Sequence, residues 1–111
     1  MTIHDRIAGE VLNWAGVTAA SHRFGGVEFK LGKRELGHLH GDRLADLPFP
    51  RRLRDELVQS GRAVPHHVLP DTGWVSFWIE SEDDVPRAVE LFRLSYERAL
   101  AARERQRRSI R

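Results

Sequence analysis

Apolar residues along this chain change their period several times, and each change marks an element. Near the start, Ile3, Ile7, Val11 and Trp14 recur at the spacing of one helix face. Thr2 stands where a side-chain oxygen caps the first turn, Asp5 sits near its positive end, and Gly16 closes the segment. Val17 to Phe24 reads as a strand and Gly25-Gly26 as a turn. Val27, Phe29 and Leu31 then alternate with Glu28 and Lys30, the pattern of a half-buried strand. Gly32-Lys33-Arg34 reads as a hairpin connection, leading into a partner strand from Glu35 to His40.

Asp42 to Pro50 reads as a loop, with Pro50 suited to the first turn of the helix that follows. Leu53, Leu57 and Val58 give that helix an apolar face, and Gly61 is a natural residue to end it. A polar stretch with Pro65, His66, His67 and Pro70 comes next and has room for one extra short strand near His67. Asp71-Thr72-Gly73 turns into the clearest strand, Trp74 to Glu80. There Val75, Phe77 and Ile79 point one way, while Trp74, Ser76 and Trp78 point the other. Ser81 and Asp84 form a capping signature, and Val85, Val89, Phe92, Tyr96 and Leu100 form the stripe of a long final helix. Pro86 is tolerated inside its first turn. Beyond about Ala102 the stripe disappears, and an arginine-rich tail is expected to fray.

The order is α-β-β-β-α-β-α. It implies an α+β fold with a mostly antiparallel sheet of four to five strands, three helices, and the helices on one face. One domain is expected over residues 1–102, followed by a tail at 103–111. No repeat, linker or second domain is visible.

Composition narrows the picture. The chain has 111 residues, 41% hydrophobic and 31% charged, which is globular. No apolar run approaches the roughly 18 residues that cross a bilayer, and no secretory signal is read at the start. With no cysteine, disulfides, thiolate nucleophiles and thiolate-held metals are excluded, and a cytoplasmic location is the expectation. The net charge is +2. The last nine residues hold five arginines and one glutamate, a charge of +4, which leaves −2 on residues 1–102. A near-neutral body argues against nucleic acid as a partner. No membrane partner is expected, and a homodimer is compatible with the sequence.

The chemically suggestive residues are histidines. His38 and His40 lie two apart on a strand, so their side chains share a face with Cα atoms about 7 Å apart. Asp42, two further on, would complete a three-ligand set if the strand continued, and His66 and His67 could join from their loop. Imidazole and carboxylate ligands suit zinc or non-haem iron, but H-x-H is a common spacing. The competing reading is of strand histidines bonded to nearby backbone or acids. Asp46 to Arg54 places Arg51, Arg52 and Arg54 at a helix start, where the macrodipole is already positive. Either Asp46, Asp55 and Glu56 balance them, or Arg51 and Arg52 with the helix end make an anion site. Trp74 and Trp78 are either core or one wall of a pocket suited to a flat, oxygenated aromatic ligand. No GxGxxG, P-loop or GxSxG is present.

Five segments together resemble the short bacterial members of the luciferase-like domain family: Phe24-Gly-Gly-Val-Glu-Phe-Lys-Leu-Gly, Glu35-Leu-Gly-His-Leu-His-Gly-Asp, Asp46-Leu-Pro-Phe-Pro-Arg-Arg, Pro65-His-His-Val-Leu-Pro and Gly73-Trp-Val-Ser-Phe. The resemblance spans roughly residues 10–100. It extends distantly to fungal luciferases, which oxidise a hydroxylated pyrone with molecular oxygen, and it implies no metal or organic cofactor. His38, His40 and Asp42 match the H-x-H segment of that family, and His66 or His67 matches the histidine after the helix. The chain is much shorter than the fungal enzymes, so light emission does not carry over. The last third also resembles MmcQ/YjbR-type proteins, small α+β domains proposed to bind DNA.

The expectation is a metal-free small-molecule site of His38, His40, Asp42, His66 and His67. In it an imidazole acts as general base on an acidic enol, with Arg51 or Arg52 holding the enolate. That reading requires the histidines to converge on one concave pocket. The alternatives are a His/Asp metal site, or a non-catalytic module that meets nucleic acid or protein through the arginine tail or the Trp74/Trp78 face.

Overall fold

In the computed structural model, which describes residues 1–22 and 25–110, one six-stranded antiparallel sheet carries three helices. The order along the chain is α1 (Ile3–Leu12), β1 (Val17–Ser21), β2 (Val27–Leu31), β3 (Arg34–His40), β4 (Leu44–Pro48), α2 (Arg51–Gln59), β5 (Val64–Pro65), β6 (Trp74–Trp78) and α3 (Val85–Ser109). A 3-10 turn at Glu82–Asp84 leads into α3. Across the sheet the order is β1-β2-β3-β4-β6-β5, every neighbour antiparallel. The expected strand end at Phe24, and Arg111 at the end of the tail, lie outside the described residues.

The fold class follows the patterning, with two strands more than the basic order gave. Leu44–Pro48, read from the sequence as loop, is the strand between β3 and β6. Its apolar Ala45 and Leu47 are fully buried in the core, and Pro48 comes at its last residue. β5 is only two residues long and precedes His66. The final helix does not fray at Ala102; it continues to Ser109 with exposed side chains, since Arg, Glu and Gln are all good helix formers. No helix among the described residues is long and apolar enough to cross a membrane.

Helices α1 and α3 pack against each other, and α3 lies against β2, β3 and β4. Phe29, Leu39, Ala45, Leu47, Val75 and Phe77 alternate onto that side and share a core with Ile7, Val11, Leu91 and Phe92. Thr2 and Asp5 form a full capping box on α1. Tyr96 Oη donates to the carbonyl of Ala15 at 2.7 Å, which ties α3 to the turn after α1.

One irregularity in β3 positions everything that follows. Phe29 pairs with Gly37 and Lys30 with Glu35, so Leu36 is an extra residue, a β-bulge. Gly37 has φ +154, and a Cβ there would stand 2.9 Å from both the Asp46 carbonyl oxygen and the Phe92 ring. Only glycine fits. Helix α3 presses on this point: Ser95 Oγ donates to the Leu36 carbonyl at 2.7 Å beside the buried Phe92.

Candidate functional site

Register lines up the polar residues on the sheet face away from α1 and α3. His38 pairs with Glu28 on one side and Asp46 on the other, and Asp46 pairs with Ser76. Four neighbouring strands thus present Glu28, His38, Asp46 and Ser76 as one transverse row, with successive strands about 4.8 Å apart. His40 lies two residues from His38 on the same face. Trp74 lies two residues from Ser76. After β5 the chain brings His66 and His67 over the row.

All of these except the fully buried Ser76 line a cleft of about 870 Å³, together with Ser21, His22, Glu35, Val68 and Leu69. The size is that of a small-molecule site. Among the described residues its polar lining contains imidazoles and carboxylates but no arginine or lysine.

Asp46 is the hub, fully buried. Its Oδ1 accepts from Ser76 Oγ at 2.7 Å. Its Oδ2 lies 3.3 Å from Nε2 of His38, 3.3 Å from Nε2 of His40 and 3.5 Å from Nε2 of His66. None of those three contacts is aligned as a hydrogen bond, so Oδ2 is a buried acceptor without a donor.

Hydrogen bonds fix two tautomers. The backbone N–H groups of Val68 and Leu69 donate to His66 Nδ1 at 3.1 and 3.0 Å, so the proton of the neutral ring sits on Nε2. The Ser76 hydroxyl gives its proton to Asp46, so it accepts from the backbone N–H of His67 at 3.2 Å and from His67 Nδ1 at 3.1 Å. In the neutral ring of His67 the proton therefore sits on Nδ1, which leaves Nε2 as the acceptor. Asp46, Ser76 and His67 form a carboxylate–hydroxyl–imidazole relay.

His38 is held from both sides, with Nδ1 2.8 Å from Glu35 Oε2. Burial alone would lower its pKa, but the flanking Asp46 and Glu35 carboxylates outweigh burial and raise it to about 9. Burial and the neighbouring His38 push His40 below the ordinary imidazole value. Burial also pushes His66 down, despite the attraction of Asp46. Burial would raise Asp46, yet its contacts with His38 and Ser76 hold it below the usual carboxylate value.

Aromatic contacts complete the walls. His22 stacks on His38 with ring centres 4.0 Å apart, and His66 stacks on His67 at 4.4 Å. Trp74 packs against His38 at 5.5 Å and His66 at 5.9 Å.

Of the residues singled out in the sequence, the fold gathers His38, His40, His66, His67 and Trp74. Trp78 flanks the cleft, 50% exposed, with its ring 5.9 Å from His67. The others lie elsewhere. Asp42 sits beyond the end of β3, where its carboxylate accepts from the backbone N–H of His4 at 2.7 Å. Arg51 and Arg52 are exposed on α2 and do not line the cleft. Asp46, Ser76, Glu35 and His22 were missed as site residues. Alternation along Trp74-Val75-Ser76 already placed Ser76 with the tryptophans, but Asp46 was hidden by the loop reading of its segment.

The family model described as Luciferase domain matches residues 33–95, from the turn before β3 into α3. The segment holds Glu35, His38, His40, Asp46, His66, His67 and Ser76. No curated protein and no solved structure matches the chain.

Proposed function

The chain belongs to the luciferase domain family, and from that premise we propose that it binds a small, flat, oxygenated molecule in the histidine cleft and acts on it as an acid–base catalyst. One observation carries the reading: the relay from Asp46 through Ser76 holds the proton of the neutral His67 ring on Nδ1, so that Nε2 is its acceptor in a walled cleft. An unprotonated imidazole nitrogen is the group that takes a proton from an acidic enol. His66 supports it from the opposite sense. Its Nε2–H is a fixed donor, locked by two backbone amides, and suits a ligand oxygen. Trp74 offers the aromatic wall on which a planar ring lies.

The division of labour follows from these tautomers. His67 accepts the enol proton, His66 donates to the oxygen that becomes an enolate, and Asp46 holds the base in orientation through Ser76. Arg51 and Arg52 have no part in it, since they are remote from the lining.

A calorimetric titration with 4-hydroxy-6-methyl-2-pyrone, an enolic flat ring, tests the reading. Saturable 1:1 binding is expected, weakened at least about tenfold by replacing the enol with its methyl ether, since a lost buried hydrogen-bond partner costs on the order of 1–3 kcal/mol. His67→Ala should lose the preference for the enol. Equal binding of enol and ether, or an enol preference unchanged in His67→Ala, removes the acid–base role.

A further inference from the structure

The donor atoms around Asp46 Oδ2 have a spacing that hydrogen bonding does not explain. His38 Nε2 and His40 Nε2 both stand 3.3 Å from that oxygen, yet neither is aligned with it. In a hydrogen bond the N–H points at the acceptor. Here the nitrogens stand beside the oxygen, as neighbouring ligands on one coordination sphere do. Bonds of about 2.0–2.1 Å to a tetrahedral ion place neighbouring ligand atoms about 3.3–3.4 Å apart. The donor atoms of His38, His40 and Asp46 all lie within 4.8 Å of one another.

We propose that His38 Nε2, His40 Nε2 and Asp46 Oδ2 form a site for a divalent first-row transition metal ion, with its remaining positions open to the cleft. The proposal rests on this cleft being the working site, but not on His67 being a base. Three further features support it. Glu35 Oε2 sits 2.8 Å from His38 Nδ1, the carboxylate backing that orients a metal-binding imidazole and leaves Nε2 for the ion. Ser76 holds the other oxygen of Asp46, which leaves Oδ2 as the single donor. Among the described residues, finally, the cleft lining holds three carboxylates, Glu28, Glu35 and Asp46, and no arginine or lysine, so an added cation balances them.

His66 is not a fourth ligand. Its Nδ1 takes two backbone hydrogen bonds, so its Nε2 carries a proton and faces the site as a donor. Two imidazoles and one carboxylate with open positions form the donor set found where a small ligand and a metal meet, in non-haem iron and catalytic zinc centres. Two ligands come from one strand and the third from its register partner, so the sheet itself sets the geometry. His38 and Asp46 face each other as a cross-strand pair, and His40 follows at the next position on that face.

Cobalt(II) is the direct probe, because its visible absorption reports ligand number. Untagged, chelator-treated full-length protein is titrated with cobalt(II) chloride, followed by competition with zinc. The expected result is a 1:1 cobalt spectrum that zinc displaces. His40→Ala, at a half-exposed position that tolerates truncation, should weaken binding at least about 100-fold, and Glu35→Gln by about 10- to 100-fold as a backing residue does. His4→Ala, at the one histidine outside the cluster, should leave it unchanged. No saturable cobalt spectrum, or binding unchanged in His40→Ala, overturns the metal site. Protein that takes up the hydroxypyrone but no cobalt loses the metal site and keeps the ligand cleft. Protein that binds cobalt with this variant pattern but no hydroxypyrone keeps the metal site and loses the enolic ligand.

Discussion

Glu35 and His38 lie three residues apart on one strand, yet Glu35 Oε2 is 2.8 Å from His38 Nδ1. In a regular strand, residues i and i+3 point to opposite faces. The bulge at Leu36-Gly37 adds one residue and restores them to the same face. Helix α3 secures that bulge through Ser95 and Phe92. The helix layer therefore reaches the cleft through the backbone of β3.

Gly37→Ala tests this link. The added methyl meets the Asp46 carbonyl and the Phe92 ring, at a φ that L side chains rarely adopt. A loss of about 2–4 kcal/mol in urea unfolding is expected, from backbone strain plus overpacking. A loss below about 0.5 kcal/mol would mean the bulge is free to rearrange.

Ser95→Ala removes the hydrogen bond to the Leu36 carbonyl without adding volume. Stability should fall by about 1–3 kcal/mol, the cost of an unsatisfied buried acceptor. Hydrogen exchange should show the loosening at residues 35–38 as well as in α3, and protection loss confined to α3 would break the proposed connection.

Much of the fold was legible because its signals are local. The capping box at Thr2, the alternation of Val27 to Leu31 and the stripe from Val85 to Leu100 each need only a dozen residues of context. The site was half legible. His38 shares a face with His40 by strand parity, and Trp74 with Ser76, as the structure shows; that the two faces are the same side of the sheet comes from β4 pairing between them. Asp46 was not legible, because Leu44-Ala-Asp-Leu-Pro lies among arginine, aspartate and proline that mimic a loop. Its burial depends on β6 pairing from more than 25 residues away. Glu35 was lost for a subtler reason. A glycine inside a strand marks a bulge, and reading Gly37 that way would have moved Glu35 to the histidine face.

Nitrogen NMR of the chelator-treated protein tests the tautomers. The pKa of His66 is lowered by burial, so its ring should remain neutral at pH 6.5 and above, with the proton on Nε2. His38 should behave oppositely, staying an imidazolium until the pH approaches about 9. A His66 proton on Nδ1, or a His38 that is neutral at pH 7, contradicts the electrostatic picture.

Residues 103–110 extend α3 into solvent and add nothing to the core. Truncation after Ala102 should change unfolding free energy by less than about 0.5 kcal/mol and leave hydroxypyrone and cobalt binding intact. Loss of either binding on truncation would assign the arginine segment a part in the cleft.

The central claim is that a small molecule occupies the histidine cleft on the open sheet face. Chemical-shift mapping with 4-hydroxy-6-methyl-2-pyrone tests it most directly. The account predicts saturable shifts in the imidazole signals of His40, His66 and His67 and in the Trp74 indole, with His4 unmoved. Shifts confined to the arginine-rich end of α3, or no saturable shift in the cleft at millimolar pyrone, would contradict it.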